Sequence, residues 1–447
     1  MKQIQVLRAV FGVLLTLPAT ANLVRGQDPP RHSPASQNGD KASLKLVVIL
    51  SRHGVRPPTW TEARLDQYSA LPWPKWSVAP GYLTPHGYEL LKKFGSFDRV
   101  SFASTGLIAA QGCTDAASTY IWADTDERTL ESGRALAEGL YPACPPAVHS
   151  LAADQRDPLF HPRERESNSA DARPVKTARE TTTGPMPDQR QSQLLAEMQH
   201  VLLDCSPEKS CTPIHAPEIL LLGDSAGGAG GMGRHPAETR GPLAQASSFA
   251  EDFLLEYLEG MPSSQVGWGK VDEAQLRRFL TLHSRNSGLT HRTPASARME
   301  PSNLLFHIAR TLAQGAEGRP VEDALGPVGS KIVLLVGHDT NIEGVAGLLG
   351  LHWTLDGRRD DTPPGTELAF ELWQSASGTY TVRVTASMQT LRQMRAMEDL
   401  TLSAPPARAV LTIDGCLAAK HACRWEDFQS NVNAAIDNSS VFQSASQ

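Results

Sequence analysis

Three short apolar runs, at 44–50, 120–123 and 331–336, carry little or no polar alternation, and each breaks off abruptly into a polar cluster. A strand with one wet face alternates, so these runs predict strands covered on both faces. Helical spacing follows two of them. Residues 126–140 carry acids in their first turn, where a helix dipole favours them, and Thr340 opens a pattern with Ile342, Val345, Leu348 and Leu349 on one face. Strand-then-helix units at such distances predict an α/β fold with a central, mainly parallel sheet flanked by helices. Near the end, 367–373 and 380–384 flank Ser377-Gly378, which predicts a hairpin extending the same sheet.

Between residues 151 and 285 the pattern changes, with polar insertions such as 161–190 alternating with helical stretches at 191–203, 248–259 and 272–282. This reads as a mainly α-helical domain inserted between two parts of the α/β domain, 44–150 and 286–447. Gly228-Ala229-Gly230-Gly231-Met232-Gly233 matches a dinucleotide-binding pattern by letter. That motif needs a helix directly after the glycines, and Arg234-His235-Pro236 intervene, so a loop is expected. Residues 22–43, rich in Pro, Ser, Gln and charge, read as a disordered lead-in. Before them, Lys2 and Arg8 precede the apolar run 9–17 and the small-residue pattern Ala19-Thr20-Ala21, an export signal expected to be cut after Ala21. The run is too short to span a bilayer, so no membrane association is expected and the location is periplasmic or secreted.

The 447 residues carry a formal charge of -6, which gives no general attraction to nucleic acid or anionic lipid. Any bound anion must be held by a local basic cluster. In an exported chain the six cysteines predict disulfides. Six thiols allow 15 pairings, and spacing favours Cys205 with Cys211 and Cys416 with Cys423, leaving Cys113 for Cys144. A zinc site is the competing reading, but no C-x-x-C pair and no nearby His pair supports it, and disulfides are expected.

Each of the three strands ends in residues suited to an oxyanion: Ser51-Arg52-His53-Gly54-Val55-Arg56, then 124–128 with Arg128, then Gly337-His338-Asp339. Ligands of open α/β sheets bind at the carboxyl ends of strands, so the three clusters are expected to share one pocket. Arginine forks match phosphate oxygens, and a histidine held among them stays neutral and nucleophilic because positive neighbours oppose its protonation. Asp339 also stands where it would cap the following helix.

Arg52-His53-Gly54-Val55-Arg56-Pro57-Pro58 and Gly337-His338-Asp339-Thr340-Asn341 resemble the R-H-G-x-R-x-P and H-D signatures of the histidine acid phosphatases. Similarity to bacterial phytase-like members extends over most of 44–425. The resemblance implies a phosphatase hydrolysing phosphate monoesters, with no cofactor and no metal. It implies His53 as nucleophile, Arg52, Arg56, Arg128 and His338 as groups holding the phosphoryl oxygens, and Asp339 as proton donor. Thr59 and Glu251 fall where relatives have pocket residues. Thr340 leans toward phytate or broad specificity. Trp60, where a lysine is usual, and Glu300, near a usually basic position, weaken the case for phytate. Specificity for a sugar phosphate such as glucose 1-phosphate is the second reading, ahead of a phosphomutase or an inactive binding module.

Overall fold

The structure, a computed structural model, describes residues 42–161, 188–205, 241–293, 297–298, 301–416 and 422–441. The expected leader, the lead-in up to residue 41, the glycine-rich loop, most of the polar insertion at 161–190, Glu300 and Cys211 lie outside the described residues. The strands are β1 (Ser43–Arg52), β2 (Thr119–Ala123), β3 (Val148–His149), β4 (Ile332–Gly337), β5 (Thr354–Leu355), β6 (Arg358–Arg359), β7 (Glu367–Gln374), β8 (Tyr380–Met388), β9 (Ala407–Leu411) and β10 (Cys423–Arg424). The longer helices are α1 (Pro85–Ser104), α2 (Glu127–Leu140), α3 (Gln189–Leu202), α4 (Pro242–Leu258), α5 (Glu273–Thr290), α6 (Ser302–Glu317), α7 (Asp339–Leu348) and α8 (Trp425–Ala435).

Except for the small β5–β6 ribbon, these strands form one mixed sheet in the order β10-β8-β7-β1-β4-β2-β3, with β9 also on β8. Its core is parallel, β1 and β2 flanking β4, and β3 continues it. From β1 outward through β7 and β8 the pairing is antiparallel, as the hairpin signal required. The non-alternating pattern of β1 is explained by two cores. Val47 and Ile49 pack with Leu91, Phe94 and Leu136 of α1 and α2, while Leu46, Val48 and Leu50 pack with Leu304 and Ile308 of α6 and Ile342 and Val345 of α7.

Helices α3, α4 and α5 share a third core, built on Leu195, Phe249, Phe253 and Phe279, which Val55, Trp73 and Leu90 join. Two details differ from the sequence pattern. Helix α5 runs unbroken through position 285 to Thr290, and Leu159 and Phe160, at the start of the expected insertion, pack into the sheet core. Disulfides join Cys113 to Cys144 and Cys416 to Cys423 as expected. Among the described residues no helix is long and apolar enough to cross a membrane.

Helices α1 and α2 pack at backbone contact. A Cβ on Gly95 would lie 2.4 Å from the carbonyl oxygen of Leu136, and one on Gly139 would lie 2.2 Å from that of Lys92. Helix α1 starts from a side-chain cap: Thr84 Oγ1 accepts the Gly87 N–H at 2.9 Å, and Pro85 fills the first turn. The same hydroxyl donates to Glu259 Oε2 at 2.7 Å, and the Thr84 N–H donates to the Val55 carbonyl at 3.0 Å. The start of α1 is thereby pinned to the loop that leaves β1.

Candidate active site

The carboxyl ends of β1, β2 and β4 are adjacent, and backbone bonds continue the pairing past the strands. The His53 N–H donates to the Gly337 carbonyl and the Asp124 N–H to the Val336 carbonyl, both at 3.0 Å. The three clusters expected to share a pocket therefore begin from one hydrogen-bonded edge.

His53 is buried, and its Nδ1 donates to the carbonyl of Gly54 at 2.8 Å. A carbonyl oxygen can only accept, so this bond assigns the proton of the neutral ring to Nδ1 and the lone pair to Nε2. Burial lowers the imidazole's pKa well below the usual histidine range, and Arg128, Arg56, Arg52 and His338 add to the effect. Gly54 donates its N–H to Ser132 Oγ at 2.9 Å, and that hydroxyl donates to the Arg128 carbonyl. A Cβ at Gly54 would lie 2.8 Å from Leu91 Cδ1 and 3.1 Å from the Gly87 carbonyl oxygen, so the loop needs glycine where α1 crosses it.

Arg52, Arg56 and Arg128 surround this imidazole electrostatically, and each keeps a buried Nε–H with no acceptor among the described residues. Buried guanidinium donors left unpaired are costly, and a bound oxyanion is an acceptor of the kind such donors favour. The outer nitrogens are tied to carboxylates. Arg52 pairs with Glu251 and lies 3.2 Å from Asp339 Oδ2, Arg56 reaches the same Glu251 oxygen at 3.5 Å, and Arg128 meets Asp126 at 2.6 Å. Glu251 stands on α4, so the helical layer contributes directly to the cluster. Thr59 is exposed beside it: a Cβ placed on Gly81 would be 3.7 Å from Thr59 Cγ2 and 3.8 Å from Arg128 Nη1.

His338 lies edge-on to His53 with ring centres 5.7 Å apart. Its Nδ1 faces Arg128 Nη2 at 3.5 Å and its Nε2 meets Asp124 Oδ2 at 2.6 Å. Asp339 opens α7 and is partly exposed. Burial raises its pKa, but Arg52, His283, His338 and the Thr340 N–H outweigh this and hold the carboxyl well below its usual range.

A family model for the histidine phosphatase superfamily (branch 2) matches residues 43–210 and 302–387. The chain belongs to that family. It is 34% identical to phytase AppA of Escherichia coli over 424 residues, covering 90% of this chain and 94% of that protein. It is 26% identical to glucose-1-phosphatase of Salmonella typhimurium over 398 residues, covering 88% and 92%. Among solved structures, the apo phytase of Hafnia alvei superposes with a TM-score of 0.76 at 32% identity, over 92% of this chain and 100% of that one. The same phytase in complex with myo-inositol hexakis sulphate gives 0.73 at 30% identity, over the same shares. As a histidine acid phosphatase the chain is a phosphoric monoester hydrolase with an α/β fold and a helical region.

The sequence pattern assigns no role to two residues at this candidate site. Asp124, just past β2, accepts from His338 and from His161, whose Nε2 lies 2.7 Å from the same Oδ2. Burial opposes the charge on Asp124, but the two imidazoles outweigh it and hold its pKa far below the usual carboxylate range. These three side chains offer potential metal-ligand atoms within 4.8 Å of one another. Asp124 stood inside the 124–128 cluster. The signal for His161 was the apolar pair Leu159-Phe160 before it, which buries the segment against the sheet.

Proposed function

We propose that the enzyme is an acid phosphatase of broad specificity that includes phytate among its substrates and works through a phosphohistidine on Nε2 of His53. The observation that carries this reading is a buried imidazole whose free lone pair is assigned to Nε2, set among three guanidinium groups with unpaired Nε–H donors.

The lone pair on Nε2 attacks phosphorus, and the ester oxygen departs with the bonding electrons. Arg52, Arg56 and Arg128 neutralise the equatorial oxygens, and they are worth most where water is scarce. His338 takes up a proton as the dianion binds, with Asp124 supporting the cation at Nε2 and Nδ1–H turned to a phosphoryl oxygen. Asp339 is a carboxylate while it faces Arg52. A phosphoryl group that engages Arg52 removes that support, so the carboxyl is protonated in the ester complex and gives its proton to the leaving alkoxide. The carboxylate then accepts a proton from the water that attacks the phosphohistidine, releasing phosphate and restoring His53.

Thr340 and the phytase relatives favour phytate; Trp60 and the glucose-1-phosphatase relative favour a sugar phosphate. Thr59 and Glu251 belong to the pocket wall in either case. The reading extends to an exported chain cut after Ala21, with a helical part that starts after Phe160 and ends with α5 at Thr290 set into the α/β part, and to phosphate monoesters as its ligands. A phosphate-release panel at mildly acidic pH, with chelator present, compares phytate, glucose 1-phosphate and an aryl phosphate. Release from all three is expected, and His53→Ala should abolish it. Release from glucose 1-phosphate alone would overturn broad specificity, and full turnover by the His53→Ala enzyme would overturn the phosphohistidine.

A further inference from the structure

Asp124 lies behind His338, at the ring nitrogen opposite the one that faces Arg128. Its Oδ1 accepts the Thr125 N–H at 2.8 Å, while Oδ2 meets Nε2 of His338 at 2.6 Å and Nε2 of His161 at 2.7 Å. Asp126 Oδ2 is 3.6 Å from His338 Nε2 and is held by Arg128, so it adds negative charge beside the cluster without joining it. The residues come from three separate segments, yet Asn341 ties two of them together. Its Oδ1 accepts the His338 N–H at 2.8 Å and its Nδ2 donates to the carbonyl of Phe160, the residue before His161, at 3.0 Å.

Two imidazoles and one carboxylate form a borderline ligand set, suited to zinc, cobalt or copper rather than to calcium or magnesium. Zinc takes nitrogen and oxygen ligands at about 2.0–2.2 Å, which puts tetrahedral ligand atoms roughly 3.3 Å apart. The two imidazole nitrogens need only draw back from Asp124 by about 0.6 Å to admit such an ion. His161 and Asp126 keep part of their surface open to solvent, which gives the ion a way in.

We propose that Asp124, His161 and His338, with water as the fourth ligand, form a binding site for a divalent transition metal ion such as Zn2+, placed on the far side of the imidazole that faces the phosphoryl group. An ion there holds the His338 proton at Nδ1, pointing into the phosphate site, and offsets the Asp124 carboxylate. Metal and phosphate then strengthen each other's binding by the same factor. Only this coupling rests on the phosphatase reading; the site itself rests on the ligand geometry.

The protein, stripped with chelator, is titrated with Co2+ and Zn2+ in the absence of any ester. One equivalent of Co2+ with the visible absorption of a four-coordinate ion is expected, displaced by Zn2+. His161→Asn should weaken Zn2+ by more than about tenfold, whereas His161→Cys, which keeps a ligand, should retain it. Melting in chelator establishes that both variants fold. No bound ion, or equal affinity in wild type and His161→Asn, overturns the site. With an aryl phosphate as substrate, Zn2+ should lower the inhibition constant of inorganic phosphate in wild type and not in His161→Asn. An unchanged constant overturns the coupling between metal and phosphate. Because the titration uses no ester, failure of the metal site is distinguishable from failure of the phosphatase reading.

Discussion

An ordinary histidine is mostly protonated, and so useless as a nucleophile, at the acidic pH where such a phosphatase is expected to work. His53 escapes this because burial and four neighbouring cationic or ring groups hold its pKa down. The acid limb of kcat/KM should therefore lie well below the pH range in which an ordinary histidine titrates. Arg128→Ala removes the foremost of those neighbours, so the limb should move to higher pH while kcat falls on the order of 10²–10³-fold, as for loss of one oxyanion donor. A pH–rate profile of the variant that kept the wild-type acid limb would contradict this account. At this scale the sequence was most readable where one stretch of chain holds neighbouring candidate residues, as in Arg52-His53 and His338-Asp339. The role of His161 was not readable, because its partner Asp124 is 37 positions away and meets it only through the packing of Phe160 against the sheet.

Among elements, periodicity identified the strands that carry the site and the helices that follow β2 and β4. Helices α1 and α6 were absent from that reading, although Thr84-Pro85 is a recognisable start and Leu304, Leu305, Ile308 and Leu312 mark a buried face. Both cover the sheet beside stronger signals, and nothing in the local pattern announced which face each would cover. The α1–α2 contact is the tightest of these joints. Gly139→Ala would drive a methyl into the Lys92 carbonyl, so the helices must separate, at a cost of about 1–3 kcal/mol. Urea unfolding should show that loss. Because α1 also fixes the loop after β1, kcat should fall with it, whereas Gly106→Ala, with nothing within 4 Å, tests the left-handed backbone alone.

For the whole molecule, the buried acids set how stability responds to pH. Burial raises Asp98 to about 7, against the pull of Arg408, and its hydrogen-bonded neighbour Glu367 is pushed up as well, again chiefly by burial. Burial also raises Glu343 to about 7, and drives Asp252 and Glu256 upward. A carboxyl whose pKa is raised on folding holds its proton more tightly in the native state than in the unfolded chain. No penalty exists below about pH 4, where both states are protonated. Above it, the unfolded chain ionises first, so stability falls progressively as pH rises to about 7. His53, His86 and His338, whose pKa values are lowered, act the other way over part of this range, but the five raised carboxyls outnumber them, so thermal unfolding should give a higher Tm at pH 5 than at pH 8. Asp98→Asn should flatten the slope. A Tm that rose from pH 5 to pH 8 would contradict it.

The bond from His53 to Gly54 has a consequence for how damage elsewhere would look. In a hydrolase whose attacking or accepting ring is aligned by a distant acid, loss of that acid misplaces the proton and silences the ring. Here the orienting acceptor is the main chain of the very next residue, which no side-chain replacement can delete. Lesions around this imidazole should accordingly surface as altered charge or weakened grip on the ester, with the reactive nitrogen still facing the right way.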